Sequence, residues 1–204
     1  MSSIMKRHAA ALLLLANIVM PVSQAAPAPD AAKAEQSLPG NSLYQLHTNL
    51  VDQNGSAFEL ASRRGNPMIV SMFYTSCQFV CPMLVETIQL TTQKLTADER
   101  ARLGTMLVTF DPARDDAKAL QDTASKHHLD AEHWTLARTD AASVRKFAAA
   151  LGIQYRQLPD GEFNHSTVLV LLDSQGRIVG RSNKMGSADP AFVKLVKTTL
   201  HASN

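Results

Sequence analysis

The sequence predicts an α/β fold, a central mixed β-sheet flanked by helices with an N-terminal β-hairpin extension. Three observations carry this expectation. Two short apolar runs, Pro67–Tyr74 and Gly104–Phe110, have the composition of strands buried on both faces. Segments with helical start and stop signals alternate with them. A strand pair, Thr167–Leu172 and Arg177–Arg181, surrounds the turn Asp173-Ser-Gln-Gly176 before a last helix.

Each element follows from local chemistry. Leu43–Val51 alternates enough for a strand, Asp52-Gln-Asn-Gly55 turns the chain, and Ala57–Leu60 returns as its partner. Arg63-Arg-Gly-Asn-Pro67 interrupts before the first buried strand. Met83–Leu95 has helical character, and Thr96-Ala-Asp-Glu99 starts a second short helix. The second buried strand ends at Asp111-Pro-Ala-Arg-Asp115, where Asp115 or Asp116 caps a helix running to about His128. Trp134–Ala137 supplies a third short strand. Thr139-Asp140 caps a helix from Ala141 to Leu151, which Gly152 ends. Gln157–Gly161 is a turn or short loop, and Pro190–His201 a helix with proline near its first turn. A βαβ unit followed by a hairpin and a helix is the thioredoxin-like arrangement.

The chain has 204 residues, enough for one domain and a short extension. Residues 1–25 have the pattern of a secretory signal peptide: Lys6, Arg7 and His8, an apolar run from Ala9 to Met20, then Pro21 and small residues to Ala25. The run is short for a membrane span, so an uncleaved anchor facing the periplasm is the alternative. Residues 26–40 form a flexible tether rich in Ala, Pro and Ser, and 41–204 the folded domain. Of 20 basic and 18 acidic residues, export removes two basic ones, so the mature chain has 18 of each. That balance lacks the basic field of a nucleic-acid binder.

Both cysteines, Cys77 and Cys81, lie in Tyr74-Thr-Ser-Cys-Gln-Phe-Val-Cys-Pro82, after a buried strand and at the start of a helix. Unpaired helical amides and the positive dipole end favour thiolate there. An exported pair of thiols oxidises unless it is reduced or holds a metal. A local disulfide would close too small a loop to stabilise the fold much. Two thiolates select Cu(I), then zinc. Structural zinc takes four protein ligands and would need two histidines at the same point, whereas Cu(I) accepts fewer. Two thiolates and one imidazole would make a three-coordinate site able to hold Cu(II) as well.

Phe73–Pro82 resembles the signature of the Sco/SenC proteins. The likeness continues at Val108-Thr-Phe-Asp-Pro-Ala-Arg-Asp115 and at Phe163-Asn-His-Ser166, and spans roughly Leu43 to Lys184. The resemblance implies a thioredoxin-fold, periplasmic copper metallochaperone that helps assemble the copper centre of cytochrome c oxidase. It implies copper, Cu(I) or Cu(II), held by Cys77, Cys81 and His165, and a copper-receiving oxidase subunit as partner. A periplasmic thiol reductant or second copper chaperone would be a further partner. Gln78 stands where family members often have Pro, and Asn164 where many have Asp. Asp111 is expected beside the cysteine loop and Tyr74 in the site wall. His127, His128 and His133 are expected to be exposed near a helix end, and Met72 and Met83 to pack in the core.

Two other functions compete with copper delivery. A thiol–disulfide oxidoreductase would use Cys77 and Cys81 to reduce the cysteines of an oxidase copper site before metal arrives, without requiring His165. A peroxidase would use one cysteine, but the motif lacks a recognisable peroxidase environment.

Overall fold

The computed structural model describes residues 37–203. The predicted export segment and residues 26–36 of the predicted tether lie outside them. Among the described residues nine strands form: β1 (Asn49–Asp52), β2 (Ala57–Glu59), β3 (Met68–Phe73), β4 (Gly104–Thr109), β5 (Trp134–Arg138), β6 (Tyr155–Gln157), β7 (Phe163–His165), β8 (Leu169–Leu172) and β9 (Ile178–Ser182). Five helices accompany them: α1 (Val80–Thr92), α2 (Ala97–Ala101), α3 (Ala117–Lys126), α4 (Ala141–Leu151) and α5 (Pro190–Ala202).

Seven strands make one mixed sheet in the order β2-β1-β5-β4-β3-β8-β9. β3 runs parallel to β4, and β4 to β5, while β8 joins the other edge of β3 antiparallel. Every residue of β3 is buried, as is all of β4 except Gly104. These two apolar runs therefore form the middle of the core, as their composition requires. α3 packs on β5 and α5 on β9. Among the described residues no helix is long and apolar enough to cross a membrane.

Capping chemistry sets the helix boundaries. Asp116, not Asp115, caps α3 by accepting the Ala119 amide at 2.8 Å. Thr96 and Glu99 form a reciprocal capping box on α2. Gly152 takes the left-handed conformation that ends α4. Asp189 caps α5, with Pro190 in its first turn.

Two expected elements change. The predicted strand Leu43–Val51 is a 3₁₀ turn over Leu43–Gln45, and the strand begins only at Asn49. Ser42 caps that turn through the Tyr44 amide, and Leu43 donates to the carbonyl of Gly176 at 2.8 Å. A Cβ on Gly176 would fall 2.5 Å from the ring of Tyr44, so the later turn needs glycine for this packing. The second change is a two-stranded hairpin, β6–β7, where the sequence indicated only a turn.

A candidate metal centre at the cysteine loop

β3 delivers the chain from the core to Tyr74, and the cysteine loop follows at once. α1 starts at Val80 and has no side-chain cap from Phe79. The Cys81 amide, one of the first in the helix, instead donates to Cys77 Sγ at 3.3 Å. The Cys77 sulfur thus does the work of an N-cap acceptor. Pro82 is tolerated in this turn because an amide there has no helical partner to lose.

The thiols are unpaired and unequal: Cys77 is half-buried and Cys81 buried. A hydrogen bond from the Cys81 thiol holds Cys77 far below the usual thiol range, to about 4, aided by the amides of Cys81 and Phe79 and the Tyr74 hydroxyl against the opposing effect of burial. The same bond, with burial, pushes Cys81 far up. The pair therefore shares one proton, since two adjacent thiolates repel.

A buried carboxylate anchors the loop from below. Asp115 accepts the Thr75 amide at 3.1 Å and also the hydroxyls of Thr75 and Thr109. Asp111, also buried, is engaged by Arg114 rather than by the cysteine loop. Arg114 then donates to the carbonyl of Gly161 in the turn of the β6–β7 hairpin. Asp111 is thereby linked to the element that carries His165.

His165 ends β7, opposite Tyr155 in β6. Strand alternation puts Phe163 and His165 on one face. That face meets two rings: Phe110 lies 5.0 Å from His165, and Tyr74 lies 5.1 Å from Phe163 and 6.0 Å from His165. Tyr74 also donates to Glu162 at 2.9 Å. Burial and then this carboxylate raise the Tyr74 pKa, so it stays a neutral phenol. His165 Nδ1 lies 3.2 Å from the carbonyl of Ser166. With its proton on Nδ1, the ring presents a free Nε2 lone pair.

Cys77 and His165 line a common open groove of about 600 Å³ with Tyr74, Phe79 and Phe163. Cys81 opens instead, with Cys77, onto a small cavity of about 30 Å³ bordered by His127. Among the described residues, no three His, Cys, Asp or Glu side chains are gathered closely enough to hold a metal. The structure thus joins the two cysteines and puts His165 across the groove, with Tyr74 between them as wall and hydrogen-bond donor. Met72 is core, whereas Met83 is 36% exposed. Gln78 folds back on the carbonyl of Ser76, and Asn164 is exposed on the other face of β7 from His165. Sequence reasoning missed Asp115 as an anchor, and Arg114, Glu162 and Phe163 as links. The Asp-Pro-Ala-Arg-Asp run and the residues beside His165 were the signals that held them.

Sheet order and dithiol position together define a thioredoxin-like domain with a free thiol pair at the strand-to-helix junction. The chain belongs to the SCO1/SenC family, whose profile matches residues 37–200. It is similar to the copper-bound structure of ScoI from Bradyrhizobium japonicum, at 24% identity and TM-score 0.64 over 75% of this chain and 97% of that one. It is also similar to BsSco, described as a Sco-family cytochrome c oxidase assembly protein with a disulfide switch, at 19% identity and TM-score 0.63 over 76% of this chain and 90% of that one. A Stutzerimonas stutzeri protein, provisionally named as copper-binding, is 27% identical over 135 residues, 64% of this chain. The match spans 65% of that curated relative's length.

Proposed function

We propose that this protein is a periplasmic copper chaperone that takes up one copper ion through Cys77, Cys81 and His165 and passes it to a copper-receiving subunit of cytochrome c oxidase. The observation that carries this reading is the one-proton thiol pair at the start of α1, with the His165 ring across a shared groove from Cys77. One thiolate is already formed, and only the Cys81 proton must leave when a soft metal binds. The imidazole completes the set by closing across the groove. Ligand exchange with a partner suits a site whose first thiolate is half-exposed. Copper bound to family relatives supports the choice of metal.

The deciding experiment is a copper titration of the reduced chain against His165→Ala, with free thiols counted beforehand. Wild type should bind one copper per chain, and His165→Ala should weaken Cu(II) binding by about tenfold or more, since loss of even a group that only supports a metal ligand costs about that. Unchanged Cu(I) and Cu(II) affinities would exclude the three-ligand site.

The asymmetry of the pair favours one second reading, reduction of an oxidase disulfide before metallation. The Cys77 thiolate would attack a disulfide sulfur and release one partner thiolate. Cys81 would then lose its proton and attack Cys77 Sγ, releasing the second thiolate and leaving a Cys77–Cys81 disulfide, so two electrons pass to the partner. A protein that binds no copper but reduces a disulfide substrate, with His165→Ala fully active, would establish this reading instead.

A further inference from the structure

The end of the sheet opposite the cysteines holds a hollow that the dithiol does not use. β3 is six residues long, so the two ends of the sheet are separated by about 20 Å at ~3.3 Å per residue. Chain segments entering the three parallel strands converge there. Arg63 and Arg64 come from the turn before β3, Arg102 from the end of α2 before β4, and Glu132 and His133 from the approach to β5. They enclose about 230 Å³.

Arg63 and Arg64 are held by neutral groups. The Arg63 guanidinium lies 4.3 Å over the ring of Phe58. Arg64 donates Nε and Nη2 to Gln175 Oε1 at 3.0 and 2.8 Å. A ring and an amide fix the guanidinium groups but supply no countercharge. Arg102 donates to the carbonyl of Leu200 at 3.0 Å and lies 3.6 Å from the exposed Asp98. With Arg102 paired to Asp98, Arg63 and Arg64 against the one lining glutamate, Glu132, leave a formal surplus of one positive charge.

Two buried nitrogens on this wall, Arg63 Nε and His133 Nε2, have no hydrogen-bond partner. The other His133 nitrogen, Nδ1, lies 2.7 Å from Asp130 Oδ1, which orients the ring. Buried polar atoms are normally satisfied, and an orphaned arginine donor invites an acceptor.

We propose that this hollow binds a phosphate-type oxyanion, with Arg63 and Arg64 as its principal donors. Planar guanidinium groups already immobilised suit the several oxygens of one tetrahedral anion. The lining carries no Phe, Tyr or Trp face for a nucleobase, so the recognised part is the anion alone. The ligand can be free phosphate or the phosphate of an anionic lipid headgroup, and the two are separable by experiment.

The full chain is titrated with inorganic phosphate at constant ionic strength, following arginine Nε–Hε resonances and the melting temperature. Vesicles of phosphatidylglycerol are compared with vesicles of phosphatidylcholine in parallel. Wild type should bind one of the two probes, and Arg63→Gln/Arg64→Gln should lose about tenfold in affinity, as expected when charged hydrogen bonds are removed. Arg64→Lys, which keeps the charge, guards against a folding defect and should lose less. Free phosphate binding assigns a small-anion site. Arginine-dependent binding to phosphatidylglycerol vesicles alone assigns a headgroup site. Failure of both probes, or equal binding by the double variant, overturns the proposal. Copper uptake at the far end is not involved in any arm.

Discussion

The two halves of the candidate copper site are built in different ways. The cysteine loop grows out of β3, a strand buried along its whole length, and rests on the buried carboxylate of Asp115. The histidine sits on β7, half of a separate two-stranded sheet whose residues are at most partly buried. Ring contacts and the Arg114 link to Gly161 tie that hairpin to the rest. The thiols are therefore preorganised, whereas the imidazole is carried by an arm with few buried contacts, the kind of segment that opens locally. On the proposed function, copper would meet the thiol pair first and His165 would close afterwards. Release would run in reverse.

The sharpest way to break this contrast is to remove its anchor. Asp115→Ala would leave the Thr75 amide and two threonine hydroxyls without their acceptor. At about 1–3 kcal/mol for an unsatisfied buried group, with Thr109 buried and Thr75 half-buried, the expected loss is about 2 kcal/mol or more. The urea midpoint should fall at constant slope. His165→Ala should cost no more than about 0.5 kcal/mol, as for other substitutions away from the core. Equal losses in both variants would show that the two halves are equally integral to the fold.

A smaller effect tests the preorganisation of the thiols. Cys77 is held at about 4 chiefly by the Cys81 thiol. A lowered pKa means that the thiolate persists above that value and is lost as pH falls through it. Iodoacetamide should therefore label Cys77 down to about pH 5, while Cys81 stays unreactive at neutral pH. In Cys81→Ala the chief donor is gone, and the labelling midpoint of Cys77 should rise toward the free-thiol value of about 8.5. An unmoved midpoint would mean that the helix amides alone make the thiolate.

What the sequence disclosed follows the same division. β3 and β4 were legible because a strand buried on both faces must be a continuous apolar run, and α3 and α4, which follow them, carry explicit aspartate caps. The cysteine pair was legible from its place between such a strand and a helix. The His165 arm was not, because three-residue strands are too short to show a period; the residue itself entered through the resemblance of Phe163–Ser166. Asp115 was ambiguous for a different reason. Two adjacent aspartates offered the same helix cap, and only packing decides that Asp116 caps α3 while Asp115 turns beneath the loop. Asp111 was expected at the loop, but its pairing with Arg114 turns it toward the hairpin. Local sequence does not encode which of three nearby carboxylates faces which neighbour.

The smallest effect concerns the link between the halves. Arg114 is 44% exposed along its side chain, so its ion pair with Asp111 is screened and contributes at most about 1 kcal/mol. Arg114→Ala should thus leave the urea midpoint nearly unchanged. Its consequence should be local, because the same side chain holds the turn carbonyl of Gly161. Hydrogen exchange of the amides in β6 and β7 should accelerate by up to about fivefold, the factor that 1 kcal/mol allows, while those of β3 and β4 keep their protection. Uniform acceleration in β3 as well would mean that the hairpin and the central sheet open as one unit, and the picture of a histidine on a separable arm would fail.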